Sequence, residues 1–260
     1  MRIIDIHTHV YPDAIAMKAA DSIRDYYQIG RNMDGTPGML LDRGAQAGVS
    51  QYVILPVAIK ADRVDSINQF ILQQMQLHPE FVGFGAIHAE VPNIGDVAEN
   101  IASLGLKGIK IHPDCQKFDI DDPRLFPMYE AMEGKLPVFL HMGDKRYNYS
   151  QPARLRHVLD LFPKLDAVAA HFGGYSMYEE ACRQLKDKNC IMDVSSSLMF
   201  MGEGQAEHYI NLYGAERMAF GTDYPVWDPV EEVQRLMNLK LTDDQKEQIA
   251  WKTAARFLNL

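Results

Sequence analysis

Apolar residues gather in eight short runs rich in β-branched side chains: Ile3 to Val10, Gln51 to Val57, Phe81 to Ala89, Leu106 to His112, Leu136 to Met142, Ala167 to Phe172, Cys190 to Ser195, and Met218 to Asp223. Runs of this length and composition predict buried strands. Between them the period changes to that of a helix. Val64, Ile67, Ile71 and Met75 recur at steps of three and four behind acidic Asp62 and Asp65, which predicts an amphipathic helix. Asp122-Pro123 and Asp228-Pro229 each place an N-cap residue before a helix-opening proline, and Glu231 and Glu232 follow in a first turn. Thr242 and Gln245 have the spacing of a capping box.

Strands joined through single helices pair in parallel with right-handed crossovers, and near-continuous apolar strands imply a sheet covered by helices. Eight such units predict an α/β fold, a (β/α)8 TIM barrel, with residues 1–260 as a single domain. An open doubly wound sheet is the alternative. Its glycine-rich turn would follow the first strand, and His7-Thr8-His9 stands there instead. The irregular stretch Gly30 to Gly38 is a candidate flap.

The polar residues closing these runs carry the chemistry. His7 and His9, two apart on a strand, project to one side and can grip one ion. His88, His112, His141 and His171 also close apolar runs, and Asp223 ends the last one; only His78, His157 and His208 lie elsewhere. In a parallel barrel all strand C-termini open on one face, so scattered histidines become one cluster. His7, His9, His141 and Asp223 are therefore candidate ligands of a catalytic divalent cation, with a coordination position left for water or substrate. A mononuclear site is expected, with a dinuclear site as the alternative. His171 reads as a proton shuttle or electrophile, or as a further ligand. Asp223, touching metal and water, could take the water's proton. Asp5 lies one layer deeper on the same face and reads as orienting a ligand, and His88 as a supporting or structural residue.

Lys110 and His112 share a face of the fourth strand and are candidate substrate contacts. Lys110 also admits a carbamylated bridge between two metals or a structural cation, and His112 a structural strand-end role. The loop Gly143 to Tyr149 carries Arg146, Tyr147 and Tyr149, a set suited to an acidic or aromatic acid substrate as well as to a solvated loop. Ser195, Ser196 and Ser197 lack a nucleophile-elbow context, so a serine triad is not expected. Leu198 to Met201 read first as core packing, with a lid or homodimer contact as the alternative.

Composition narrows the partners. The chain has 260 residues, 47% of them hydrophobic, and a net charge of −9 without a basic block, which argues against nucleic acid and anionic membranes. No long uncharged apolar stretch suggests a membrane span. The start, MRIIDIHTHV, reads directly into a strand, so a cytoplasmic location is expected. Cys115, Cys182 and Cys190 form no CxxC pair and fit reduced, buried thiols. A small molecule is the expected partner.

DIHTH at Asp5 to His9, GIKIHP at Gly108 to Pro113, FLHMGD at Phe139 to Asp144, AHFGG at Ala170 to Gly174 and GTDYP at Gly221 to Pro225 together make the chain resemble the amidohydrolase superfamily. The likeness is to its amidohydrolase-related branch of predicted metal hydrolases and aminocarboxymuconate-semialdehyde decarboxylase-like enzymes. It covers nearly the whole chain. The resemblance implies metal positions at His7, His9, His141 and Asp223, a catalytic or additional-ligand histidine at His171, and zinc. This branch holds both hydrolases and nonoxidative decarboxylases. A chain shorter than the larger decarboxylases, with Lys110 and His112 on strand 4, favours hydrolysis of a small amide, lactone or ester-like bond. Decarboxylation at the same site is the alternative, and a noncatalytic metal or ligand sensor a third reading.

Overall fold

Every predicted apolar run contains a strand in the computed structural model, which describes residues 1–29 and 33–260. The strands are β1 (Ile3–Thr8), β2 (Val49–Ile54), β3 (Phe81–Gly83), β4 (Gly85–Ala86), β5 (Ile109–Ile111), β6 (Val138–Leu140), β7 (Ala167–Ala169), β8 (Cys190–Asp193) and β9 (Met218–Ala219). The third run is split at Phe84 into β3 and β4. Most strands end before the polar residue that closes the run. The physical reason is visible at His171 and Asp223, whose φ angles of 59° and 60° cannot continue a strand. Gly30, Arg31 and Asn32 of the candidate flap lie outside the described residues.

The helix signals are met. Val64–Leu77 is helical and buries Val64, Asn68 and Ile71. Asn68 is polar on a buried face because its amide pairs with the Ala86 backbone, accepting from N–H at 2.7 Å and donating to the carbonyl at 3.1 Å. Asp122 and Asp228 cap their turns by accepting from Arg124 and Val230 N–H, and Thr242 with Gln245 closes a full capping box.

The chain falls into two compact units that interleave in sequence: Met1–Leu55 with Leu77–Val82 and Val194–Leu260, and Pro56–Gln76 with Gly83–Asp193. In the first, β1 pairs with β2 in parallel, and β3 follows in the sheet order. On the other side of β1, Ile6 N–H donates to the Phe220 carbonyl, Asp223 N–H to His7 and His9 N–H to Tyr224. The segment after β9 is thereby laid along the end of β1. In the second unit β4, β5, β6, β7 and β8 pair successively in parallel. Helices seat directly on β3 and β4. A Cβ at Gly83 would meet Ile71 and Met75 at 2.5 Å, and one at Gly85 would meet Ile101 at 2.5 Å. Among the described residues no helix is long and apolar enough to cross a membrane. The three cysteines are free thiols.

Gly108 opens the GIKIHP segment against the fully buried Phe84 ring, whose Cε2 lies 2.3 Å from where a Cβ would stand. Gly108→Ala is expected to destabilise the fold by about 1–3 kcal/mol through overpacking, measured by chemical denaturation.

Candidate functional site

In the first unit the site is built on Asp5. This wholly buried carboxylate accepts from His7 N–H at 3.1 Å, from Thr222 N–H at 3.0 Å and from Thr222 Oγ1 at 2.6 Å. It thus ties the end of β1 to the residue before Asp223, the orienting role expected of it. His7 Nε2 and His9 Nε2 each lie 3.4 Å from Asp223 Oδ1. Their outer nitrogens are held from behind, His7 Nδ1 by Ser195 Oγ at 3.1 Å and His9 Nδ1 by the Leu55 carbonyl at 2.6 Å.

The Leu55 contact decides the tautomer of His9. A carbonyl only accepts, so Nδ1 carries a proton and Nε2 is the nitrogen left to face Asp223 Oδ1. Two imidazoles with one carboxylate are a donor set suited to a divalent transition metal. The residues present therefore fit the metal.

Asp223 is fixed on its other oxygen as well. Ser196 Oγ donates to Oδ2 at 2.5 Å and accepts from Trp227 Nε1–H at 2.9 Å. Sequence reasoning weighed Ser195 and Ser196 only as nucleophiles and did not single out Trp227. Serines 188 residues from His7 and 27 from Asp223 have no short-range signature, so only spatial neighbourhood exposes this role.

In the second unit the histidines form a string. His141 Nδ1 faces His171 Nε2 at 3.1 Å, and His141 Nε2 lies 3.8 Å from Asp114 Oδ2. His112 stacks on His141 with centroids 3.8 Å apart and planes at 9°. His112 itself is set by Gln116, which accepts its N–H at 2.7 Å and donates to the carbonyls of Ala58 and Ile87. His171 N–H reaches Asp193 Oδ1 at 3.2 Å. His112, Asp114 and His141 place one potential ligand atom each within 4.8 Å of one another. Asp114 was missed in the sequence, although it follows His112 by two residues. Its side chain is entirely buried, takes a 2.5 Å hydrogen bond from Ser150, and is pushed by burial up to about 6.

Of the expected ligands, His7, His9 and Asp223 converge within the first unit, while His141 belongs to the second, its nitrogens turned to His171 and Asp114. Lys110 is wholly buried on β5, its ammonium 4.5 Å from the centroid of the Phe139 ring. Arg146 grips Asp144 with contacts of 2.9 and 2.6 Å and lies over the Tyr147 ring, which is exposed. His88 has a supporting role: its Nδ1 accepts from Glu90 N–H, its ring meets the edge of Phe118, and burial lowers its pKa. Leu198, Met199 and Met201 are half-buried and Phe200 is 51% exposed, so this run is not the core packing first expected.

A family model for amidohydrolases matches residues 4–260. The chain belongs to the amidohydrolase family. This amidohydrolase is 26% identical over 243 residues to a 2-amino-3-carboxymuconate-6-semialdehyde decarboxylase of Dictyostelium discoideum, covering 76% of this chain and 67% of that protein. An uncharacterized TIM-barrel protein from Bordetella bronchiseptica superposes over 100% of this chain and 99% of its own, with TM-score 0.80 at 21% identity. A dihydroxybenzoic acid decarboxylase from Polaromonas sp. JS666, solved with manganese and an inhibitor, superposes over 99% and 97% with TM-score 0.77 at 15% identity. The amidohydrolase accordingly has the parallel α/β fold of TIM-barrel proteins.

The Asp114 carboxyl supplies a pH test. Between its ordinary 3.8 and about 6 the folded protein holds a proton that the unfolded chain has released, so stability falls as pH rises through this window. Metal-free Asp114→Asn is expected to lose that slope. It should exceed wild type near about pH 8 by up to about 3 kcal/mol, the gap closing below about pH 4, in denaturation series across pH.

Proposed function

We propose that this amidohydrolase is a metal-dependent nonoxidative decarboxylase acting on a small, carboxylate-bearing, unsaturated or aromatic substrate. The observation that carries the metal is the convergence of His7 Nε2 and His9 Nε2 on Asp223 Oδ1. The choice of carboxy-lyase over hydrolase is supported by the Dictyostelium relative, named as a decarboxylase. The reasons that favoured hydrolysis in the sequence weaken. A chain of this length superposes over 97% of a decarboxylase. Lys110 is buried over Phe139, and His112 is occupied with Gln116 and His141, so neither speaks for a hydrolytic centre.

His7, His9 and Asp223 hold the cation in this reading. A bound divalent cation would supply fixed positive charge that orients the substrate's oxygens and stabilises charge left by the departing carboxylate. The carbon–carboxylate bond breaks, carbon dioxide leaves, and the electron pair stays on the substrate carbon. His171, whose Nε2 lies 3.1 Å from His141 Nδ1, returns a proton to that carbon. Arg146 and Tyr147 on the exposed loop contact the substrate's acid and ring, His112 is a further contact, and Lys110 is a buried counter-charge. Zinc is the ion expected from the resemblance; the Polaromonas neighbour holds manganese, so both belong in the reconstitution.

Protein reconstituted with manganese or zinc and offered a library of aromatic and unsaturated carboxylic acids in oxygen-18 water should release carbon dioxide without heavy oxygen entering the product skeleton. Heavy oxygen in a cleaved product would establish hydrolysis instead. His7→Ala and Asp223→Ala should each lower metal affinity by about 100-fold or more and abolish turnover. Arg146→Ala should raise KM for the acid substrate with little change in kcat; an unchanged KM removes Arg146 from recognition.

A further inference from the structure

We infer that Trp227 and Ser196 form a positioning relay that commits Asp223 to hold the cation through Oδ1 alone, a role that rests on the metal reading proposed above. The chain of contacts is continuous. Trp227 Nε1–H can only donate, and it donates to Ser196 Oγ at 2.9 Å. That leaves the Ser196 hydroxyl proton for Asp223 Oδ2, 2.5 Å away. A hydroxyl free to rotate could otherwise turn elsewhere; the indole removes that freedom by taking its acceptor side. Oδ2 is thereby engaged, while Oδ1 remains turned to His7 Nε2 and His9 Nε2.

The backbone shows that this arrangement is imposed. Ser196 and Asp223 have φ angles of 48° and 60°, left-handed conformations that an ordinary side chain avoids, and both bring their side chains to the same hydrogen bond. Asp223 N–H is held by the His7 carbonyl at 2.7 Å, so the carboxylate has a fixed base as well as a fixed Oδ2. At the outer end, exposed Phe200 makes a T-shaped contact with Trp227, with centroids 5.9 Å apart and planes at 72°. An outer hydrogen bond of this kind orients a ligand and raises its affinity for the ion, and its loss costs about 10–100-fold in metal binding.

The test is a double-mutant cycle read by manganese affinity, measured by competition with a chromophoric chelator. Ser196→Ala should weaken manganese binding about 10–100-fold, and Trp227→Phe should cause a smaller loss. Because Trp227 acts through Ser196, the double variant should bind no more weakly than Ser196→Ala alone, whereas two independent packing losses would multiply. Ser196→Gly removes the same hydroxyl while relieving the left-handed backbone, and keeps the test sound if Ser196→Ala folds poorly. Wild-type manganese affinity in both Ser196 variants, or fully multiplicative losses in the cycle, overturns the relay alone. Absence of manganese and zinc binding by the wild-type protein overturns the metal reading and the relay with it.

Discussion

Asp5 is the constraint on which the cation cradle depends. A carboxylate with no exposure is costly unless its oxygens are engaged, and here both are, by His7 N–H and by two donors of Thr222. Those bonds fix the end of β1 against the segment that follows β9. His7 and Asp223 can meet only because this junction is closed. The backbone bonds from Asp223 N–H to His7 and from His9 N–H to Tyr224 complete it. The side chains proposed to hold a metal are thus set on a fixed frame, and their orientation is maintained by buried hydrogen bonds behind them.

The second unit solves a different problem with the same materials. His112, His141 and His171 sit just past three neighbouring parallel strands, and their rings contact one another in sequence. Asp114 and Asp193 stand beneath them as buried carboxylates, one near His141 and one on the His171 backbone. Strands that stop short let these residues leave sheet geometry. His171, Phe172 and Gly173 all take positive φ, at 59°, 54° and 78°, a bend that sets the imidazole rather than continuing β7. A histidine string with carboxylates beside it is suited to passing a proton.

Much of this was legible in the chain. The eight apolar runs, the N-caps at Asp122 and Asp228, and the capping box at Thr242 are local signals set by backbone sterics and nearby hydrogen bonds, and the structure carries each of them. The HxH pair and the strand-ending Asp223 were legible because strand alternation fixes which residues share a side. Three features were not. Asp114 and Trp227 were not singled out and Ser196 was weighed only as a nucleophile, because their roles depend on partners 27 to 36 residues away, as in Ser196 to Asp223 and Asp114 to Ser150. Arg146 read as a substrate contact or part of a solvated loop, and the fold gives it Asp144 two residues back.

The sequence by itself determined the alternation of strands and helices, the family, and the residue types able to bind a metal, since these follow from periodicity and from side-chain chemistry carried within short motifs. Tertiary structure alone decided which nitrogen of His9 is left as a ligand, because the Leu55 carbonyl that takes its Nδ1 proton lies 46 residues away. It also decided that Asp223 is held at Oδ2, that Lys110 is buried over an aromatic ring, and that Asp114 is a carboxyl pushed up to about 6. Each of these is a property of an environment, of who donates, who accepts and how much water remains. No run of adjacent residues encodes that until the chain has folded.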